Sequence, residues 1–166
     1  MTNPTRREIL ELAAAAAAFP ISPTSPALRA SSRQAVEGST LRFFPGFSAK
    51  RVKTSGAEIN LVHAGSGPPL LLMHGAPQTH VSMRLIAPEL ARDYTVVVPD
   101  LRGYGDSSKP PDGENHANYS KRAMALDQVE VMKSFGFDKF AVVGHDRGGR
   151  VGHRMALDHP DKITKL

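Results

Sequence analysis

Residues Val142-Val143-Gly144-His145-Asp146-Arg147-Gly148-Gly149-Arg150 set an aspartate between two glycines, each two residues away, after a β-branched run and before a helical pattern. A sharp strand-to-helix turn of this kind presents the side chain at its apex. The flanking positions stay glycine because a Cβ there would strike neighbouring atoms. A serine at the apex would need a base to take its proton before it attacked acyl carbon. A carboxylate is already ionised at neutral pH and suits displacement at sp3 carbon, which leaves an ester on the protein itself. Asp146 is therefore the candidate catalytic nucleophile. The plainer reading of the same residues is a glycine-rich turn with Asp146 as a helix N-cap. Arg150 lies four residues after Asp146 and returns to the same face of the following helix, and Arg147 is adjacent. Two guanidiniums can hold a carboxylate through paired hydrogen bonds, and both favour ionised Asp146. A neutral ligand would gain little from them.

These residues need a scaffold, and from Arg42 onward the sequence alternates strand and helix patterns, the mark of an α/β protein. Ala57–Ala64 alternates apolar and polar residues. Pro69–Met73, Thr95–Pro99 and Phe140–Val143 are short apolar runs, as in parallel strands buried on both faces. Helical spacing is expected from near Val81 to Asp93, over Ser120–Phe135 with Gly136 as its stop, and over Arg147–Asp158 before His159-Pro160. Leu101–Asn118 is rich in Gly, Pro, Asp and Ser and reads as loop. The count is about five strands and three helices, without internal repeats. One more strand is expected to start at Ile163-Thr164-Lys165-Leu166, and a sheet ending there would expose an unpaired edge. The sequence looks unfinished.

The bulk numbers narrow the function classes. With 166 residues, 40% hydrophobic and 22% charged, the composition is that of one globular domain. The net charge of +5 is spread along the chain, so no nucleic-acid partner is expected. The chain has no cysteine, which excludes disulfides, thiolate catalysis and Cys-ligated zinc. No apolar run reaches transmembrane length, so stable membrane insertion is not expected. Residues 1–38 differ from the rest. Arg6-Arg7, an alanine run through Ala18 and a Pro/Ser/Thr-rich stretch resemble a twin-arginine export signal, which implies a periplasmic destination. The alternative is an Ala-rich or disordered extension on a cytoplasmic protein.

Two further segments follow buried strands: His74-Gly75-Ala76-Pro77-Gln78-Thr79-His80, and Asp100-Leu101-Arg102-Gly103-Tyr104-Gly105-Asp106-Ser107. The order and spacing of these blocks and the elbow resemble the α/β-hydrolases. An aspartate nucleophile narrows the resemblance to haloalkane dehalogenases, epoxide hydrolases and haloacetate (fluoroacetate) dehalogenases. The first two usually carry Trp after the nucleophile, whereas this chain has Arg147 and no tryptophan. His145-Asp146-Arg147-Gly148-Gly149-Arg150, Pro77-Gln78-Thr79-His80 and Tyr119-Ser120-Lys121-Arg122-Ala123-Met124 resemble the haloacetate dehalogenase pattern.

The resemblance implies an α/β-hydrolase fold, a mostly parallel sheet flanked by helices, with residues 39–166 forming its N-terminal part. It implies a small haloacid substrate, cleavage of a carbon–halogen bond through an aspartyl ester, and no cofactor or metal. The backbone amides of Ala76 and Arg147 are expected to form the oxyanion hole, and the side chains of Arg147 and Arg150 to bind the substrate carboxylate. His74 and His145 are expected to be structural, His153 and His159 to lie at the surface, and Asp100–Ser107 to be architecture near the site. The fold's chain order puts an acid and a histidine after the nucleophile. The candidates here, His153, Asp158, His159 and Asp161, belong to the elbow helix or its end, so the catalytic histidine and the cap are expected to lie outside this sequence. The alternatives are an epoxide hydrolase-like enzyme, or an inactive remnant.

Overall fold

The computed structural model describes residues 41–166; the expected export signal within residues 1–38 lies outside them. Six strands form one sheet in the order β1-β2-β4-β3-β5-β6. They are β1 (Ser48–Lys53), β2 (Glu58–Ala64), β3 (Pro69–Met73), β4 (Thr95–Pro99), β5 (Phe140–Gly144) and β6 (Ile163–Lys165). β1–β2 and β2–β4 are antiparallel, and β4–β3, β3–β5 and β5–β6 are parallel. The expected mostly parallel sheet is therefore present, with an antiparallel hairpin at one end.

The apolar runs are explained by burial on both faces. On β3, Leu71 and Met73 join one core with Val97, Met124, Val151 and Met155. Leu70 and Leu72 join the other with Phe44, Val96 and Val98. Successive strand residues point to opposite sides, so a strand covered twice has no polar position.

Among the described residues, three α-helices flank the sheet: α1 (Ala87–Leu90), α2 (Lys121–Lys133) and α3 (Arg147–Asp158). α3 has the limits expected from sequence. Ser120 caps α2 by accepting a 3.2 Å hydrogen bond from the Ala123 amide. The single helix expected from Val81 to Asp93 is instead a 3-10 turn, His80–Met83, followed by the four-residue α1. Pro88 is the reason. It has no amide to donate and is tolerated in a first turn, so it starts a new helix rather than continuing one. The Leu101–Asn118 loop also holds the start of a 3-10 turn, Glu114–Tyr119. Strand β1 was not legible in the sequence. Its residues read Ser-Ala-Lys-Arg-Val-Lys, and the charges suit the edge position it occupies.

Candidate active site

β5 runs into α3 through a turn whose apex is Asp146, at φ 48° and ψ −109°. Non-glycine residues rarely adopt this region, and they do so where the surroundings over-determine it. Here the glycines make the approach possible. A Cβ on Gly144 would lie 2.6 Å from Gly148 C and from Gly149 N, and one on Gly148 would lie 2.5 Å from the Met73 carbonyl oxygen. A Cβ on Gly75 would lie 2.7 Å from the Asp146 Cβ. Three glycines thus let the end of β3, the elbow and the first turn of α3 touch.

Asp146 occupies the N-cap position of α3, but its side chain does not make the capping hydrogen bond to the second or third helical amide. The carboxylate is exposed, with Oδ2 accepting from the Ala76 amide at 2.9 Å. Hydrogen bonds from the Ala76 and Arg147 amides hold its carboxyl below the ordinary aspartate range, helped by the Arg150 charge and opposed by slight burial. An ionised, solvent-facing carboxylate with two amides against it can attack an electrophilic carbon. The same amides can then stabilise charge on its own oxygen.

The structure brings together every residue singled out around the elbow: Asp146, the amides of Ala76 and Arg147, and Arg150. Both arginines are exposed. Neither has an ion-pair partner among the described residues, so neither is occupied by a surface acid. Beside the elbow is a groove of about 420 Å3 lined by Gln78, Ser82, Met83, Ile86, Val143 and His145. His145 was expected to be structural, but its side chain is exposed on this groove. The turn that puts Asp146 out also turns its neighbour out.

His74 is fully buried and has the structural role expected of it. Its Nδ1 donates to the Gly75 carbonyl at 2.8 Å and its Nε2 accepts from the Leu101 amide at 3.1 Å. Burial lowers its pKa, in keeping with a neutral ring. The Asp100–Ser107 loop is architecture as expected, and Asp100 is its centre. Asp100 accepts from the His80 amide and Nδ1 (2.7 and 2.9 Å), from Asn60 Nδ2 (3.0 Å) and from the Asp106 amide (3.0 Å). Burial pushes the Asp100 carboxyl up, but the His80 hydrogen bonds and charge, with the Asp106 amide, hold it below its ordinary range. His153 is exposed, while His159 is half-buried at the end of α3. Asp158 is held by Arg154 and Arg122, and Asp161 by Lys162.

Two features were missed. Arg102 and Asp127 form a buried ion pair, with Nε–Oδ2 at 2.5 Å and Nη2–Oδ1 at 2.7 Å. Arg102 also donates to the Asn118 and Ala123 carbonyls, and Thr54 Oγ1 donates to Asp127 at 2.6 Å. The pair ties the loop after β4 to the middle of α2. An acid in the apolar stripe of α2 was the available signal. The second is Lys121, close enough to Asp146, Arg147 and Arg150 to feel each charge. Nothing in its own spacing marks it. Among the described residues no group of three or more His, Cys, Asp or Glu could hold a metal ion, and no helix is long and apolar enough to cross a membrane.

Comparison with known proteins gives the wider setting. The family description "alpha/beta hydrolase fold" matches residues 68–166. A fluoroacetate dehalogenase from Burkholderia sp. is 58% identical over 123 residues, which span 74% of this chain and 40% of that protein. A soluble epoxide hydrolase from Corynebacterium sp. (strain C12) is 45% identical over 112 residues, 68% of this chain and 37% of that protein. The solved structure of an epoxide hydrolase from an endophytic Streptomyces superposes with a TM-score of 0.68 at 37% identity, covering 72% of this chain and 36% of that one. The chain thus spans about two fifths of the length of the curated relatives it matches.

Proposed function

Because the chain belongs to the α/β-hydrolase family, we propose that it carries the nucleophile and substrate-carboxylate site of a hydrolase that cleaves the carbon–halogen bond of small haloacids, haloacetate first. The observation that carries this reading is the pairing of an exposed, ionised Asp146 with two unpartnered guanidiniums on the same helix turn. A bare anion would be repelled by Asp146. A haloacid has its carboxylate one carbon from the reacting centre, so Arg147 and Arg150 can hold the charge while the electrophilic carbon faces the aspartate.

The chemistry proceeds in two displacements. An Asp146 oxygen forms a bond to the halogen-bearing carbon as the carbon–halogen bond breaks, and the halide leaves with the electron pair. Water then attacks the carbonyl carbon of the Asp146 ester, and the negative charge that develops on the carbonyl oxygen faces the Ala76 and Arg147 amides. Collapse releases the hydroxyacid and restores the carboxylate. A base must take the proton of that water, and no residue of this chain is assigned to it.

The test follows the oxygen atoms. The full chain is incubated with chloroacetate in 18O-water at enzyme excess, and the Asp146 peptide is analysed by mass spectrometry. Either a carboxymethyl ester accumulates on Asp146, or, where hydrolysis follows, 18O enters Asp146 and the first glycolate stays light. Label in first-turnover glycolate, with Asp146 unmodified and unlabelled, would overturn the assignment. Reaction with a neutral epoxide in place of chloroacetate would favour the epoxide hydrolase reading, to which the relatives of that name point.

A further inference from the structure

The proposed chemistry uses the Ala76 amide but not Gln78, which lies two residues on in the same loop. Gln78 is half-buried and is hydrogen-bonded twice to Gly75. Its backbone amide donates to the Gly75 carbonyl at 3.0 Å, closing a four-residue turn, and its side-chain Oε1 accepts from the Gly75 amide at 3.1 Å. The side-chain amide can be oriented only this way, because Nε2 in the same place would set a donor against a donor. His74 Nδ1 adds a second donor to the Gly75 carbonyl at 2.8 Å. The far end of the loop is fixed as well, since buried Asp100 accepts from the His80 amide at 2.7 Å and from His80 Nδ1 at 2.9 Å.

We propose that Gln78 is a positioning residue: by gripping both polar groups of Gly75 it fixes the peptide plane that points the Ala76 amide at Asp146. The inference rests on the proposed reading of Asp146 as a nucleophile whose ester carbonyl that amide serves. Its physical basis is a conflict at Gly75. A Cβ there would lie 2.7 Å from the Asp146 Cβ and 2.9 Å from Oδ2, so no other residue fits. Glycine, however, is the residue least able to hold its own φ and ψ. The direction of the Ala76 N–H depends on them, because the Gly75 carbonyl and the Ala76 N–H lie in one planar, trans unit and point opposite ways. With the Gly75 N–H held by Oε1 and its C=O by the Gln78 amide, neither dihedral can turn without breaking a bond. The N–H at the other end of the plane then falls 2.9 Å from Asp146 Oδ2. An oxyanion donor is worth most when it needs no rearrangement as charge develops. Gln78 supplies that order without touching the reacting atoms.

The test uses the full chain labelled with 15N and 13C and needs no turnover. Gln78→Met keeps the length of the side chain and removes the acceptor, so Gly75 amide exchange should quicken about tenfold, as expected on losing one hydrogen bond. The acid titration of the Ala76 amide shift should shrink. The Asp146 carboxyl should titrate nearer the ordinary aspartate value, because the Ala76 bond is the main cause holding it lower. Gln78→Glu should stay close to wild type, since a glutamic acid of ordinary pKa ~4.3 is mostly protonated where Asp146 titrates and still offers Gly75 a carbonyl oxygen. The Asp100 titration and the urea midpoint should be the same in all three proteins. Faster Gly75 exchange with the Ala76 and Asp146 signals unmoved would overturn the inference and leave Gln78 as the cap of a turn. A joint shift of Asp146, Asp100 and the urea midpoint would mean general loosening and overturn it too. So would a Gln78→Met protein indistinguishable from wild type, or a Gln78→Glu protein that behaves like Gln78→Met. Failure of chloroacetate to modify or label Asp146 would instead overturn the proposed function, because the amide and carboxyl signals report the placing of Ala76 without any reaction.

Discussion

Gly148→Ala should damage both the fold and the electrostatics of the elbow, by an amount that can be worked out beforehand. The new Cβ would sit 2.5 Å from the Met73 carbonyl oxygen and 2.7 Å from that of His74, whereas ordinary contact begins at 3.4 Å. The shortfall at Met73 is 3.4 − 2.5, or 0.9 Å. Neither carbonyl is free to give way. Met73 pairs with Gly144 in the sheet and accepts from the His145 amide at 3.0 Å, while both nitrogens of the adjacent His74 ring are hydrogen-bonded. The strain must therefore part α3 from β3. It should stretch the 3.0 Å bond from the Gly148 amide to His74 and the 2.9 Å bond from Ala76 to Asp146. Overpacking and one weakened backbone bond together amount to about 2–4 kcal/mol. Gly149→Ala is the control. Its Cβ would meet only Gly144, at 3.2 Å, and alanine is the better helix former, so stability should stay within about 1 kcal/mol. Urea unfolding followed by circular dichroism measures the first effect. A 13C titration of the Asp146 carboxyl measures the second, and its pKa should rise in Gly148→Ala as the Ala76 bond lengthens. Equal urea midpoints for the two variants, with the Asp146 titration unmoved, would refute the reasoning.

Asp127→Ala leaves the buried Arg102 guanidinium without its acid, and should cost about 3–5 kcal/mol in urea unfolding; a loss under about 1 kcal/mol would contradict the role given to the pair. In wild type the Asp146 carboxyl should titrate below the ordinary aspartate value of ~3.9, with the Ala76 amide shift following the same curve. Asp100 also has a folded pKa below its unfolded one, so its stabilising contribution is complete above ~3.9 and is lost as pH falls through the folded value. Asp100→Asn should be less stable at neutral pH and should show a flatter acid limb in stability against pH.

What the sequence made legible was what strong local rules dictate. β3, β4 and α3 stood out because burial on both faces leaves an unbroken apolar run, and because the elbow glycines have no substitute. Asp146, Arg147 and Arg150 could be grouped because one helix turn carries them all. The features that stayed hidden are long-range in sequence. Arg102 meets Asp127 across 25 residues, and Asp100 gathers donors from β2, from the turn after β3 and from its own loop. No local pattern predicts such meetings. β1 was missed because an edge strand is defined by its partner, and its charges mask the alternation. The broken helix around Pro88 was a local signal that the apolar spacing outweighed.

The two amides at Asp146 have different tasks at different moments of the proposed reaction, and the geometry accounts for both. In the resting chain the Ala76 amide holds Oδ2, which leaves Oδ1 as the oxygen better placed to attack. Hydrogen bonds to a carboxylate keep it ionised but also draw electron density from it, so they work against attack. The neighbouring cations offset this loss by gathering an anionic substrate, which raises the frequency of attack rather than its intrinsic ease. Once the ester forms, Oδ2 is the carbonyl oxygen and is already seated against its donor. When water adds to that carbonyl, the charge returns to the atom that carried it at the start. No side chain has to be moved into place between the two steps, and the donors cost no reorganisation when the charge develops. A serine at position 146 would have to turn the same amides on the substrate's oxygen. An aspartate uses them on its own, which is why a strained backbone at φ 48° can be worth keeping for an N-cap residue whose side chain makes no capping bond.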